Sequence, residues 1–198
     1  MPSDLPKVSA VILAGGQAQR MGSEDKGLLS FKGKPLVAQV LARIKPQADE
    51  VLISANRNTE AYAQFGYPVL KDDIQGFAGP LAGLHRAMRQ AAHPLILCVP
   101  CDTPFLPVDL VVRLRDALIA EGAEIAVPVA GEHMHPAVML CRRKLAPDLE
   151  SYLATGGRKV RQWQATRKQA IVRFEEINAF LNINTPEQLR QAEAIKGD

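Results

Sequence analysis

The sequence predicts an α/β protein built in three layers, a mainly parallel, twisted sheet with helices on both faces. Short apolar runs, Val8 to Leu13, Val51 to Ser54, Pro68 to Leu70 and Leu95 to Val99, recur along the chain. Strands covered on both faces by helices read as such continuous runs. Stretches of helical periodicity separate them, and strands alternating with helices assemble into a parallel sheet. Each run also ends in a polar or glycine-rich cluster: Gly15-Gly16, then Ala55-Asn56-Arg57-Asn58, then Lys71-Asp72-Asp73, then Pro100-Cys101-Asp102-Thr103-Pro104. Clusters at the carboxyl ends of strands mark the edge at which open parallel sheets bind ligands.

The remaining elements follow in order. Leu36, Val37, Val40, Leu41 and Ile44 recur at helical spacing, with Pro35 at the start and Pro46 just past the end, the positions where proline enters and stops a helix. A short helix is expected around Thr59 to Phe65, and a loop from Gly76 to Gly83 opens a helix that runs to about Ala92. Leu110, Leu114, Ala117 and Leu118 share one face of a further helix ended by Gly122. Ile125 to Val129 and Ala137 to Cys141 read as two more strands, separated by a polar stretch with His133 and His135. Thr185-Pro186-Glu187-Gln188 has the spacing of a capping box. With 198 residues and no internal repeat, linker or low-complexity segment, the chain reads as a single domain with ample core.

Composition excludes several classes. Hydrophobic residues at 47% and charged ones at 23% are ordinary for a globular enzyme. A net charge of +3 neither demands nucleic acid nor excludes an anionic small molecule. Aromatics total only 5%, with no stacking platform, which argues against nucleic-acid binding. No run is long enough to span a bilayer and no signal-peptide pattern opens the chain, so a cytoplasmic location is expected. Three cysteines, Cys98, Cys101 and Cys141, cannot all pair, which fits a reducing compartment. Cys98 and Cys101 match C-x-x-C, but no second pair completes a zinc site, so they read as small side chains at a strand end.

The stretch from Val8 to Lys26 carries the chemistry. A buried strand stops at Ala14-Gly15-Gly16 and continues through Arg20-Met21-Gly22 to Lys26. Glycine lets a phosphate approach the main chain, where successive N–H groups can hold it. Arg20 and Lys26 add full positive charges. The P-loop is excluded because no second glycine follows Gly15 or Gly16 at the required spacing, and Gly33-Lys34 is followed by Pro35; G-x-G-x-x-G is absent as well. Asp102, between prolines at the end of an apolar strand, is a hard oxygen ligand suited to Mg²⁺ beside substrate phosphates. The competing reading makes it a cap for a helix near Pro107 or an Asx-turn at Thr103.

Leu13-Ala14-Gly15-Gly16, Arg20-Met21-Gly22, Asp25-Lys26-Gly27, Asn56, Gly79-Pro80-Leu81-Ala82-Gly83, Pro100-Cys101-Asp102-Thr103-Pro104 and Asn182-Ile183-Asn184-Thr185-Pro186 together resemble the molybdenum cofactor guanylyltransferase family, in that family's order over nearly the whole chain. The resemblance implies a fold like the nucleotide-diphospho-sugar transferases and Mg²⁺-dependent transfer of GMP from GTP to molybdopterin-bound molybdenum, with release of pyrophosphate. It also implies Leu13, Ala14, Gly15, Lys26, Asn56, Asp72 and Asp102 as GTP and magnesium contacts, with Gly16 in the same loop. Asp72 and Asp73 are neighbours, and Asp72 is taken as the ligand by its distance from Gly79-Pro80. A GTP-binding half of about 1–105 and an acceptor-binding part of about 106–198 are expected.

Transfer to a phosphate brings two anions together, so the site must be positive, and neither a side-chain nucleophile nor a general base is required. Lys26, Arg20 and Asp102 are the expected catalytic groups. For the acceptor, the basic stretch Gly156 to Lys168, with Arg158, Lys159 and Trp163, and the pair Asn182 and Asn184 are candidates, against the plainer readings of a solvated helix face and of local hydrogen bonding. His133 and His135 read as substrate contact or surface on a loop. The alternatives are a cytidylyltransferase acting on the same cofactor and a non-catalytic carrier that hands it on. Transient contact with a cofactor donor and a recipient molybdoenzyme is expected in either case.

Overall fold

The computed structural model describes residues 5–14, 25–72 and 79–194. Gly15, Gly16, Arg20 and Asp73 lie outside the described residues. The first part of the chain forms β1 (Val8–Leu13), the short hairpin β2 (Ser30–Phe31) and β3 (Lys34–Pro35), α1 (Leu36–Ile44), β4 (Glu50–Ser54), α2 (Thr59–Ala63) and β5 (Val69–Leu70). There follow α3 (Pro80–Gln90), β6 (Leu95–Pro100), α4 (Leu110–Ala120), β7 (Ile125–Ala130), β8 (His133–Met134) and β9 (Met139–Arg142). The chain closes with α5 (Ala146–Ala154), α6 (Val160–Ala165), β10 (Gln169–Phe174) and α7 (Pro186–Glu193).

The main sheet has the order β10-β7-β9-β6-β1-β4-β5, with β8 pairing β7. β1 lies parallel between β4 and β6, and β5 and β10 are parallel to β4 and β7. Only β9 within that order runs against its neighbours, inserted between β6 and β7. The mainly parallel sheet expected from the sequence is therefore present. β1 is also where the chain changes direction of travel across the sheet, toward β4 and β5 on one side and β6 on the other, the kind of switch point at which such sheets open a crevice.

Alternation along β1 divides the core. Val8, Ala10 and Ile12 pack in one cluster with Val37, Val40 and Ile44 of α1 and Leu110 and Leu114 of α4. Val11 belongs to the other, with Leu81, Leu84 and Met88 of α3 and Leu149 and Leu153 of α5. Side chains of successive strand residues point to opposite faces, so an all-apolar strand must be covered twice.

Four local features differ from the sequence reading. The helix after the third strand begins at Pro80, so Gly83 is helical and not part of the preceding loop; proline's fixed φ suits a first helical position. Gly83 is pressed against the sheet, since a Cβ there would lie 2.5 Å from Ser54 Oγ and 2.9 Å from Leu13 Cδ2. The strand expected from Ala137 starts at Met139. β10 lies in a region with no continuous apolar run: Ala170, Val172 and Phe174 are buried while Ile171 and Arg173 are exposed, the alternation of a half-covered edge strand. His133 sits on β8 and not on a loop, and the ring of His135 stacks on Phe180 at 4.8 Å.

Trp163 of α6 is wholly buried against α5, and its Nε1 donates to Asp148 Oδ1 at 3.0 Å. Its ring is core and has no face free for a ligand. Replacing it leaves a large cavity and removes one donor from Asp148, which keeps its ion pair with Arg167, so Trp163→Ala is expected to cost about 3–5 kcal/mol. Urea unfolding followed by far-ultraviolet circular dichroism measures this; a loss well under 1 kcal/mol would show that α6 contributes little to the fold.

Candidate active site

Two hydrogen bonds carry the parallel pairing beyond the strand ends. Ala14 N–H donates to Ser54 O at 2.8 Å, and Cys101 N–H donates to Leu13 O at 3.0 Å. The segments leaving β1, β4 and β6 are thereby held side by side at the carboxyl edge. A cavity of about 510 Å³ opens there, within the range of small-molecule sites. Leu13, Ala14, Asp25 and Lys26 line it from the first strand, Ser54 and Asp72 from the second and third, and Pro100, Cys101 and Asp102 from the fourth. Gly79, Pro80 and Gly83 bring in the first turn of α3, and Ala137 and Asn182 close the side toward the C-terminal half. The positive dipole end of a helix favours an anion, although in α3 Pro80 has no N–H and Ala82 N–H already donates to Gly79 O at 3.2 Å.

Lys26 and Asp102 face each other across this cavity. Lys26 Nζ is 3.9 Å from Asp102 Oδ2 and donates to Asn184 Oδ1 at 2.6 Å. Asp102 is 8% exposed, and its Oδ1 is buried without a hydrogen-bond partner among the described residues. Burial pushes its carboxyl above the ordinary carboxylate range, with the Lys26 charge and a backbone hydrogen bond pulling the other way. A carboxylate held out of water with one oxygen unmet is costly unless something else supplies charge. The capping reading of Asp102 is overturned: α4 starts at Leu110 behind Asp109, and neither oxygen of Asp102 caps a helix. Hard oxygen donors of this kind fit a divalent cation that also takes phosphate and water oxygens. No cluster of three or more His, Cys, Asp or Glu able to hold a metal occurs among the described residues, which offer no cage of their own.

Asn56 and Asp72 form a reciprocal pair at the same edge. Asn56 Nδ2 donates to Asp72 Oδ2 at 2.7 Å, and Asp72 N–H donates to Asn56 Oδ1 at 2.9 Å. Asp72 Oδ1 is left buried and unpartnered among the described residues. From the C-terminal half, Ile183 N–H donates to Asp102 O at 2.9 Å and draws Asn182 and Asn184 to the site. The capping box is altered to the same effect: Thr185 Oγ1 accepts from Gln188 N–H, while Gln188 Oε1 accepts from the N–H of Asn184. The side chain of Asn184 is used on Lys26 and not on its own helix.

The structure thus brings together Leu13, Ala14, Lys26, Asp72, Asp102 and Asn182 on one cavity, with Asn56 and Asn184 directly bonded to its lining. Arg158 and Lys159 do not line it: Arg158 Nη1 donates to Leu153 O at 3.0 Å at the end of α5, and Lys159 precedes α6. Cys98, Cys101 and Cys141 are buried free thiols, and burial pushes Cys98 up to about 12 and Cys101 still higher, which leaves them poor nucleophiles. Sequence reasoning gave no role to Asp25, Ser54 or Tyr62. Asp25 accepts from Tyr62 Oη, Asn58 Nδ2 and Gly27 N–H; the triplet Asp25-Lys26-Gly27 was the available signal, but a buried tyrosine 37 residues away has none.

Comparison with known proteins places the chain in a family. A family model described as MobA-like NTP transferase domain matches residues 10–170. A protein of Shewanella amazonensis named molybdenum cofactor guanylyltransferase is 50% identical over 186 residues, 93% of this chain and 95% of its own. One of the same name from Shewanella loihica is 47% identical over 192 residues, 96% of this chain and 98% of its own. Among solved structures, molybdopterin-guanine dinucleotide biosynthesis protein A from Archaeoglobus fulgidus superposes with a TM-score of 0.77 at 22% identity, covering 93% of this chain and 96% of that one. The 4-diphosphocytidyl-2C-methyl-D-erythritol synthase of Anaerococcus prevotii gives 0.74 at 15% identity, covering 96% of each; likenesses at these identities speak for the shared fold. With a matching model across most of its length and relatives at half identity, the chain belongs to the MobA-like NTP transferase family.

Proposed function

We propose that this cavity transfers GMP from GTP to molybdopterin-bound molybdenum, forming the guanine dinucleotide form of the cofactor and releasing pyrophosphate. The observation that carries the reading is Asp102, buried at the exit of β6 with Oδ1 unmet and Lys26 Nζ 3.9 Å from Oδ2. A nucleotide's phosphates call for that combination of a mobile cation and a carboxylate awaiting one.

The chain's own residues divide the work. Lys26 brings a positive charge to the phosphates and strengthens its hold as negative charge grows on the α-phosphate and the leaving pyrophosphate. The positive dipole end of α3 favours an anion at the same wall, and Gly15, Gly16 and Arg20, which the sequence assigns to the anion site, lie outside the described residues. Mg²⁺, held by Asp102 with phosphate oxygens and water, would supply further charge neutralisation and orientation. Asn56 satisfies Asp72 Oδ2 and the Asp72 N–H, and Oδ1, without a partner among the described residues, would accept from an N–H donor of the base. Guanine carries such donors along its Watson–Crick edge, and the name borne by relatives at 47–50% identity supports that base. The acceptor enters from the side of Asn182 and Asn184, with Arg158 and Lys159 farther out for its phosphate. We assign GTP to residues of about 1–105 and the acceptor to about 106–198, in a cytoplasmic protein whose buried thiols suit a reducing compartment.

Lys26→Ala should lose roughly 3 kcal/mol of transition-state stabilisation, on the order of a hundredfold in kcat. Steady-state pyrophosphate release tests this, and turnover within a few-fold of the parent would remove Lys26 from the mechanism. The same assay with CTP in place of GTP should give little product; a preference for CTP would transfer the assignment to the sister cytidylyltransferase activity, and no nucleotide consumption in the presence of cofactor would leave only a carrier.

Asp102→Asn has a stability signature of its own. Below the ordinary carboxylate range both folded and unfolded chains hold the Asp102 proton, so the parent suffers no penalty. As pH rises through that range the unfolded chain releases its proton first, and the folded state loses ground until its raised carboxyl also ionises. The amide variant should therefore unfold at a higher temperature than the parent at pH 7, with the gap closing toward pH 3, while activity and the rise in Tm on adding MgGTP are both lost. Thermal scans across pH check the sign.

A further inference from the structure

Asp25 lines the cavity beside Lys26, yet its carboxylate is already taken. Oδ1 accepts from Tyr62 Oη at 2.5 Å and from Gly27 N–H at 3.2 Å, and Oδ2 accepts from Asn58 Nδ2 at 3.0 Å. Asp25 also caps the 3₁₀ turn Lys26–Leu28. Tyr62 is wholly buried in α2, and a Cβ on Gly27 would stand 2.4 Å from Tyr62 Oη and 3.2 Å from Cys101 Sγ. The main chain on either side of Lys26 is thus bound to one post from the front and pressed on it from behind. Burial, then Cys101 and Asp25, push the Tyr62 hydroxyl far above its ordinary range, so it remains a donor throughout the working pH range.

We propose that Tyr62 is a positioning residue for nucleotidyl transfer: through the Asp25 carboxylate it fixes the turn that carries Lys26, so that the ammonium is presented on the Asp102 side of the cavity. The inference rests on the role given above to Lys26. It adds that Asp25 acts as an anchor for the lysine, three donors filling most of the roughly four acceptor sites of its carboxylate. Asn58 extends the device. It follows β4 in a left-handed conformation at φ 50°, two residues after Asn56, and ties the loop that holds Asp72 to the turn that holds Lys26. The base side and the phosphate side of the cavity are in this way joined through one carboxylate.

A double-mutant cycle tests it. Tyr62→Phe keeps the buried ring and removes only the donor; kcat should fall about tenfold, the scale of a slight misplacement of a catalytic group, with KM for GTP within about threefold of the parent. Added to Lys26→Ala, the same change should alter kcat less than about twofold, because there is no ammonium left to position. Asn58→Gly, which preserves the left-handed backbone and removes the second donor, should behave likewise and decides the matter should Tyr62→Phe not fold. An unchanged kcat in the single variants, or losses that multiply in the double ones, overturns the proposal, because a purely structural tyrosine would act independently of Lys26. If Lys26→Ala alone is silent, the mechanism fails first and the positioning role with it; if Lys26→Ala is crippled and the other two are silent, only the positioning role fails.

Discussion

Parallel register around β1 is the constraint on which the rest depends. A single offset between β1 and its two neighbours would move Ala14, Ser54 and Cys101 past one another, and with them Lys26, Asp72 and Asp102. The register is held by the apolar content of these strands, which are buried on both faces, and slipping by one residue would exchange the residues facing α1 with those facing α3. Beyond the last strand residues, the bonds from Ala14 to Ser54 and from Cys101 to Leu13 continue the ladder into the loops. The site is therefore not carried on free loops but on the ends of a rigid sheet, which is what a reaction between two polyanions requires if cations are to be waiting in position.

That preparedness has a thermodynamic cost, and Asp102 shows where it falls. Its neighbours stiffen it, its carboxyl is buried, and the cation paired with it among the described residues, Lys26, lies at 3.9 Å, too far for a tight ion pair. A closer lysine would satisfy the acid and stabilise the empty protein, but it would also occupy the charge that the substrate phosphates need. Lys26 is instead turned toward the neutral carbonyl of Asn184, a partner that orients an ammonium without neutralising it. On the proposed function, the oxygens of Asp72 and Asp102 that lack partners among the described residues would be binding energy withheld from folding and available to ligand.

Much of this was legible in the sequence, for identifiable reasons. Strands buried on both faces announce themselves, so β1, β4 and β6 and the clusters at their ends could be read, and with them Lys26, Asp72 and Asp102. What escaped depends on partners distant along the chain. β9 reads as a strand, but its insertion between β6 and β7 against their direction is set by which edges are free, not by its own residues. β10 alternates, and its short apolar pattern is diluted by Gln169, Ile171 and Arg173 on the open face. Trp163 looked like a ring among cations because Arg158, Lys159, Arg161 and Lys168 near it are exposed while Trp163 and Gln164 turn inward. Asp25 was visible only as a motif letter, since the donors that occupy it come from α2 and the loop before it.

The C-terminal segment shows why the two halves cannot be understood apart. Ile183 is buried with Phe31, Leu36 and Ala192 in a small satellite core, which seats α7 on the β2–β3 hairpin and the start of α1. The same residue gives its N–H to the carbonyl of Asp102, and its neighbours on either side send one asparagine into the cavity and the other to Lys26. Residues that close the fold are thus the ones that complete the cavity, and the lysine is held between an asparagine from the C-terminal part and a turn anchored in the N-terminal part. On the proposed function, an acceptor arriving beside Asn182 would meet the lysine's own tether, so recognition of the second substrate and orientation of the charge that serves the first would be exercised by the same few side chains.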